Sequence, residues 1–250
     1  MLKVNLGGGR EFDGLDWWNL DATSGPQPIR FSEHTQYHFP AASIDLAYSS
    51  HTLEHLNDAT IDQMLSQLHG GLKPQGTLIL KIPDFEAVLQ AYRKGDESFF
   101  ENYRWGLESI LKTWEKRGVR PTTLYKASMI FCGFWTGDLP DHFAGGVQYG
   151  EQSYHGPAPL PARETENILL LHTPHKISSL LSNFVRSTEP NAVFNHQNAW
   201  SREELRELFE RSGLRILSLD RDYIIEKFSD TVPTLARARS ESLYAMIQKA

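Results

Sequence analysis

Cysteine is almost missing from this 250-residue sequence: there is one, Cys132. A single thiol cannot close an intrachain disulfide, so the fold must rest on its core alone and the cytoplasm is the expected compartment. Long apolar runs are missing too, since nothing approaches the roughly 18 consecutive apolar residues that a membrane span requires. The opening MLKVNLGGG has no charged region, apolar stretch and cleavage site in succession, which argues against a secretory leader. No membrane association is expected. Blocks of basic residues are also absent. Asp and Glu number 31 against 25 Lys and Arg, for a net charge of −6, and affinity for a phosphate backbone comes from clustered cations. Nucleic acid is therefore not the expected partner, and a small molecule is. A composition of 40% hydrophobic and 22% charged residues, without repeats or low-complexity tracts, excludes fibres, coiled coils and disordered tails.

What is present is an alternation of short apolar runs with turns. Leu2 to Leu6, Trp17 to Leu20, Pro28 to Phe31, Ile44 to Tyr48 and Thr77 to Ile82 read as strands. A helix lies between the last two, capped by Asp58, with Ile61, Met64, Leu65 and Leu68 on one face and Gly70-Gly71 at its end. The turn Lys73-Pro74-Gln75-Gly76 then completes a β-α-β unit. Near the other end, Ser201 and Glu204 form a capping box for a helix reaching Gly213. Leu214 to Leu219 and Ser242 to Ile247 follow as strands, joined by a polar connection from Asp220 to Ser240. The expected organisation is a sheet domain over residues 1–85 and 196–250, interrupted by a mainly helical insertion over 86–195. Within the insertion, Glu86 to Tyr92, Phe99 to Trp114 and Ile177 to Val185 read as helices. Gly137 to Pro161 has too many glycines and prolines for regular structure.

The chemistry-bearing motif comes first in the chain. Val4-Asn5-Leu6-Gly7-Gly8-Gly9 puts a glycine turn at the end of a strand, where a backbone without Cβ atoms lets a ligand approach. Asp21 ends the next strand, and a carboxylate there can accept hydrogen bonds from both ribose hydroxyls. Turn and acid together mark a nucleoside site. A dinucleotide site would want a third glycine where Phe12 stands.

These residues, with Asn19-Leu20-Asp21, Phe39-Pro40, Ser43-Ile44-Asp45-Leu46, Tyr48-Ser49-Ser50-His51-Thr52-Leu53-Glu54-His55-Leu56, Leu72-Lys73-Pro74-Gln75-Gly76-Thr77-Leu78 and Ile82-Pro83-Asp84-Phe85, follow the order and spacing of class I S-adenosylmethionine-dependent methyltransferases. The sequence resembles the type 11 subgroup over about 1–90 and 195–250, whereas the middle resembles nothing nameable. The resemblance implies an α/β, Rossmann-like fold: a seven-stranded, mostly parallel sheet with an antiparallel last strand, Ser242 to Ile247. It implies S-adenosylmethionine as cofactor, with Gly7, Gly8 and Gly9 under its methionine part, Asp21 on the ribose, and Ser49, Ser50 and His51 beside the sulfonium. Two positions depart from the family. Asn5 stands where an Asp is usual, and the polar residue after the third strand falls on Ser32 with Glu33 beside it.

His51-Thr52-Leu53-Glu54-His55 also matches His-x-x-Glu-His, a zinc-peptidase motif in which two histidines share one helix. Here the motif follows directly on a strand, so His51 falls in a loop and only Glu54 and His55 can open a helix. No metal is expected. His51 remains a candidate to orient or deprotonate the acceptor, or simply to fix its loop. His142, Tyr154 and His155 are further catalytic candidates, with Tyr149 beside them, on a segment too irregular to be core. Phe131, Phe134 and Trp135 either line an acceptor pocket or pack the insertion, and Ile168 to Leu171 is core or the seam of a homodimer. The expected activity is methyl transfer to an O or N atom of a small molecule, a sugar or natural-product intermediate among the options. The competing reading is a non-catalytic nucleoside-binding module whose insertion contacts another protein.

Overall fold

The structure, a computed structural model, describes residues 1–7, 12, 15–20, 39–103, 120–133, 147–148, 162–188, 196–235 and 241–250. The chain forms two compact units, Met1–Pro83 with Arg202–Ala250, and Asp84–Ser201.

Unit 1 is built on a mixed six-stranded sheet, counted among the described residues. Its strands are β1 (Leu2–Leu6), β2 (Trp18–Leu20), β3 (Ile44–Ser50), β4 (Leu72–Pro83), β7 (Leu214–Ser218) and β8 (Ser242–Lys249), in the order β2-β1-β3-β4-β8-β7. β2, β1, β3 and β4 run parallel. β8 runs antiparallel to both of its neighbours, as the resemblance implies. The expected strand Pro28 to Phe31 lies outside the described residues. β3 alternates between two buried faces because Ile44, Leu46, Ala47 and Tyr48 are all apolar and inaccessible, the signature of a strand in the middle of a parallel sheet. Below it, Phe12, Trp17, Tyr48, Ile79, Ile224, Val232, Leu235, Tyr244 and Met246 make one apolar cluster. Tyr48 finds a partner for its hydroxyl in Thr234, at 3.1 Å.

Several local expectations are corrected. α1 spans Asp58–Gly71, but its cap is Asn57, whose extended backbone lets its side chain accept from Thr60 N–H at 2.8 Å. Asp58 is the first helical residue, suited by its charge to the helix N-terminus. The stretch Lys73 to Gly76 belongs to β4 as an irregularity: Leu72 pairs with Ile44, and pairing resumes with Thr77 opposite Leu46. The expected polar connection after β7 contains a helix, α8 (Arg221–Phe228), capped by Asp220 through Asp222 N–H and Tyr223 N–H. Ile224 and Phe228, four apart, pack inward with Ile225 beside them. Trp17 is buried while Trp18 is exposed. The helix over Ser201 to Gly213 is α7 (Arg202–Arg211), with Leu205, Leu208 and Phe209 buried.

Unit 2 contains α2 (Phe85–Lys94), α3 (Glu97–Asn102), α4 (Thr123–Cys132), α5 (Ala162–Leu171) and α6 (Pro174–Thr188), with a two-residue antiparallel ladder of β5 (Arg120–Pro121) and β6 (Val147–Gln148). Asp84 and Asp96 cap α2 and α3, and Thr122 caps α4. The helix read over Phe99 to Trp114 ends at Asn102 in the described residues, and 104–119 lie outside them. The core of this unit gathers Phe85, Phe100, Tyr125, Phe131, Leu169 and Ile177, so Phe131 packs. Phe134 and Trp135 lie outside the described residues. In Ile168 to Leu171, Leu169 is core while Leu170 and Leu171 are exposed. Cys132 is buried, and burial pushes its thiol up.

Candidate functional site

Open α/β sheets bind ligands at the carboxyl ends of their parallel strands, and in unit 1 that edge is where β1 and β3 finish. Leu6 and Ser49 are register partners there, and Ser49 Oγ donates to Leu6 O at 3.2 Å. Gly7 follows with φ of +77°, a conformation that glycine adopts without penalty. Its N–H continues the strand pairing by donating to Leu20 O at 2.8 Å. A Cβ at this position would fall on the side chain of Thr52. Thr52 Oγ1 in turn lies 3.0 Å from Leu6 O, 3.3 Å from Gly7 O and 3.1 Å from Ser50 O, so its one proton ties the turn to the end of β3.

Asn5 is fully buried on β1, opposite Asn19 on β2. Its Nδ2 donates to Asn19 Oδ1 at 2.7 Å, and its Oδ1 has no hydrogen-bond partner. A buried polar atom left this way costs roughly 1–3 kcal/mol, which a bound donor would offset.

His51 begins the loop after β3 in a left-handed conformation, φ +51°, rare for a residue with a side chain. Three bonds hold it there. Its N–H donates to Lys81 O at 2.8 Å, its Nδ1 lies 3.2 Å from Glu54 Oε1, and its Nε2 lies 3.1 Å from Ser242 Oγ. Glu54 sits in a short 3-10 turn, Leu53–His55, and is completely buried. Burial pushes its carboxyl up to about 7, against a smaller opposing pull from the charge of His55. Its Oε2 has no hydrogen-bond partner. The zinc-motif arrangement is not formed by this pair of histidines. His51 is in the loop, and the 3-10 turn is separated by Leu56 and Asn57 from α1, so His51 and His55 do not share a helix.

Of the residues singled out in the sequence, Asn5, Gly7, Ser49, Ser50 and His51 come together at this edge. Gly8, Gly9, Asp21, Ser32 and Glu33 lie outside the described residues, as do His142, Tyr149, Tyr154 and His155. Four members were missed as site residues. Thr52 was legible only as a hydroxyl beside a strand end. Glu54 was read as a helix-opening carboxylate rather than a buried partner of His51. Lys81, buried on β4 with its Nζ 5.2 Å from the Tyr244 ring centre, hides in an apolar strand. Ser242 had one available signal: an antiparallel last strand must start at the edge where the parallel strands end, and it pairs with Pro83.

Residues 18–80 match the family model of a methyltransferase domain. Among curated proteins, none matches. Among solved structures, an S-adenosylmethionine dependent methyltransferase from Mesorhizobium loti is 15% identical with a TM-score of 0.42, over 99% of this chain and 90% of that one. A candidate S-adenosylmethionine dependent methyltransferase from Listeria monocytogenes is 11% identical with a TM-score of 0.42, over 100% and 91%. A complex between the Trm112 methyltransferase activator of Haloferax volcanii and a candidate methyltransferase is 14% identical with a TM-score of 0.34, over 99% and 82%. Structural likeness at this level carries no argument. The sequence match does: residues 18–80, which include β3, the His51 loop and most of β4, are similar to the type 11 methyltransferase domain, a family whose methyl donor is S-adenosylmethionine.

Proposed function

We propose that unit 1 binds S-adenosylmethionine at the carboxyl edge of β1 and β3, and that the protein transfers the methyl group to an oxygen or nitrogen of a small molecule. The observation that carries this reading is the pairing of the Gly7 turn with the unpartnered, buried Oδ1 of Asn5, two residues earlier on β1. The first turns the backbone at the carboxyl end of β1, the edge at which such sheets bind ligands. The second is an acceptor suited to an ammonium group such as the cofactor's methionine part carries. In this reading Asn5, Gly7, Gly8 and Gly9 hold that part, Asp21 accepts from the ribose, Ser32 and Glu33 serve the adenine, and Ser49, Ser50 and His51 flank the sulfonium.

The cofactor supplies an already activated methyl group, so the protein's task is to align the acceptor's lone pair in line with it and exclude water. No covalent nucleophile is needed. An acceptor hydroxyl or ammonium must lose a proton on the way, and His51 at the sheet edge is the group assigned to receive it. Residues 86–195 are assigned the choice of acceptor, with His142, Tyr154 and His155 as the polar groups that grasp it. The test is a panel of hydroxyl- and amine-bearing metabolites assayed with labelled S-adenosylmethionine. An acceptor found this way should lose turnover in Tyr154→Phe or His155→Ala while cofactor affinity stays within about twofold; unchanged turnover would remove the insertion from the acceptor site.

A further inference from the structure

The edge of unit 1 contains a carboxyl, an imidazole and a hydroxyl in one hydrogen-bonded row: Glu54 Oε1 to His51 Nδ1 at 3.2 Å, and His51 Nε2 to Ser242 Oγ at 3.1 Å. The three residues come from three places in the chain, a 3-10 turn, a strand-end loop and the first position of β8. All are buried or nearly so, with the His51 side chain 10% accessible and Ser242 8%. His51 accepts an unfavourable backbone conformation to be there, and such strain persists only where surrounding bonds over-determine it.

The direction of these bonds follows from donor chemistry. At pH 8, above the value of about 7 to which burial raises Glu54, its carboxylate is ionised and only accepts, so Nδ1 carries the hydrogen. The neutral ring then has its lone pair on Nε2, which accepts from the Ser242 hydroxyl. Since that nitrogen has one lone pair and Ser242 holds it, a proton cannot reach it directly from a methyl acceptor.

We propose that Ser242 is the group that meets the acceptor and relays its proton to His51, while Glu54 is a positioning residue that keeps the imidazole in its Nδ1–H form. This rests on the methyltransferase reading above. As the acceptor's O–H or N–H bond breaks, its proton passes to Ser242 Oγ and the Ser242 proton passes to His51 Nε2. The acceptor atom forms its bond to the methyl carbon, the carbon–sulfur bond breaks with its electron pair remaining on sulfur, and the new imidazolium faces the Glu54 carboxylate. Proton and charge balance without a further reactant.

The experiment uses the full chain labelled with 15N-histidine, at pH 8, observed by long-range 1H–15N correlation. The wild type should show His51 with a protonated Nδ1 and a bare, hydrogen-bonded Nε2. Ser242→Ala should move the Nε2 resonance toward that of an unbonded nitrogen and leave Nδ1 protonated; Ser242→Thr should restore it. Glu54→Gln should give a mixture of tautomers. Calorimetry with S-adenosylhomocysteine on the same samples separates the two claims, since these variants should bind it as the wild type does. With an acceptor in hand, Ser242→Ala should lower kcat about 100-fold and Ser242→Thr should retain most of it. A wild-type His51 protonated on Nε2, or an Nε2 resonance indifferent to Ser242→Ala, overturns the relay even if the cofactor product binds. Failure of the wild type to bind that product, with the His51 signature intact, defeats the methyltransferase reading instead.

Discussion

Thr52 occupies the space that a side chain on Gly7 would need. The two residues are 45 positions apart, and the contact closes the glycine turn after β1 onto the loop after β3. It makes Gly7 a position with two separate demands, a left-handed backbone and an empty Cβ site.

Gly7→Ala should therefore destabilise the chain by about 2 kcal/mol or more, combining conformational strain with overpacking. Thr52→Ala, which removes both atoms that the new Cβ would meet most closely, Oγ1 and Cγ2, should recover part of the loss in the double variant. Denaturant midpoints for the four proteins measure both effects, and additive midpoints would show that the contact does not matter.

Burial of Glu54 sets a pH dependence with a definite sign. The carboxyl rises from 4.5 to about 7 in the folded chain, so between those values the folded state holds a proton that the unfolded state has released. Its contribution to stability is fully present below about pH 4.5 and is lost as pH rises through about 7, by on the order of 3 kcal/mol in total. Glu54→Gln should flatten that decline. Urea midpoints at pH 5 and pH 8 for the two proteins check it; equal slopes would contradict the assignment.

In unit 2, Arg93 binds the end of α5. Its Nε and Nη2 donate to Leu169 O at 3.2 and 3.0 Å, and Nη2 also reaches Leu170 O at 3.1 Å and His172 O at 2.9 Å. These are carbonyls that a helix end leaves unsatisfied, and a cation there also suits the helix dipole. Arg93→Met should cost about 1–2 kcal/mol, read as a lower thermal midpoint, with Arg93→Lys intermediate because an ammonium cannot span as many carbonyls. An unchanged midpoint in Arg93→Met would leave the cap without energetic weight.

Much of unit 1 was legible because its signals are local. The alternation in Ile44 to Tyr48, the spacing of Ile61, Met64, Leu65 and Leu68, and the strand-turn arrangement at Leu6-Gly7 each report on neighbours in the chain. α8 was missed because its apolar residues toward the core are few, Ile224, Ile225 and Phe228, and burial against Val232 and Leu235 is a tertiary fact. Asn57 displaced Asp58 as cap because both are good capping residues and only the backbone angle decides between them. The site shows the same division. Gly7 and His51 announce themselves by type and place, while Glu54 and Ser242 acquire their roles from a row that joins residues 191 positions apart, which no spacing rule reaches.

The most direct test of the central claim is calorimetric titration of the purified chain, freed of any co-purified ligand, with S-adenosylmethionine and S-adenosylhomocysteine. The account predicts stoichiometric binding of both, weakened in Asp21→Ala by roughly 1.5–3 kcal/mol, or about 10- to 150-fold, through loss of charge-assisted hydrogen bonds to the ribose. Absence of binding to the folded wild type, or full affinity in a folded Asp21→Ala, would contradict it.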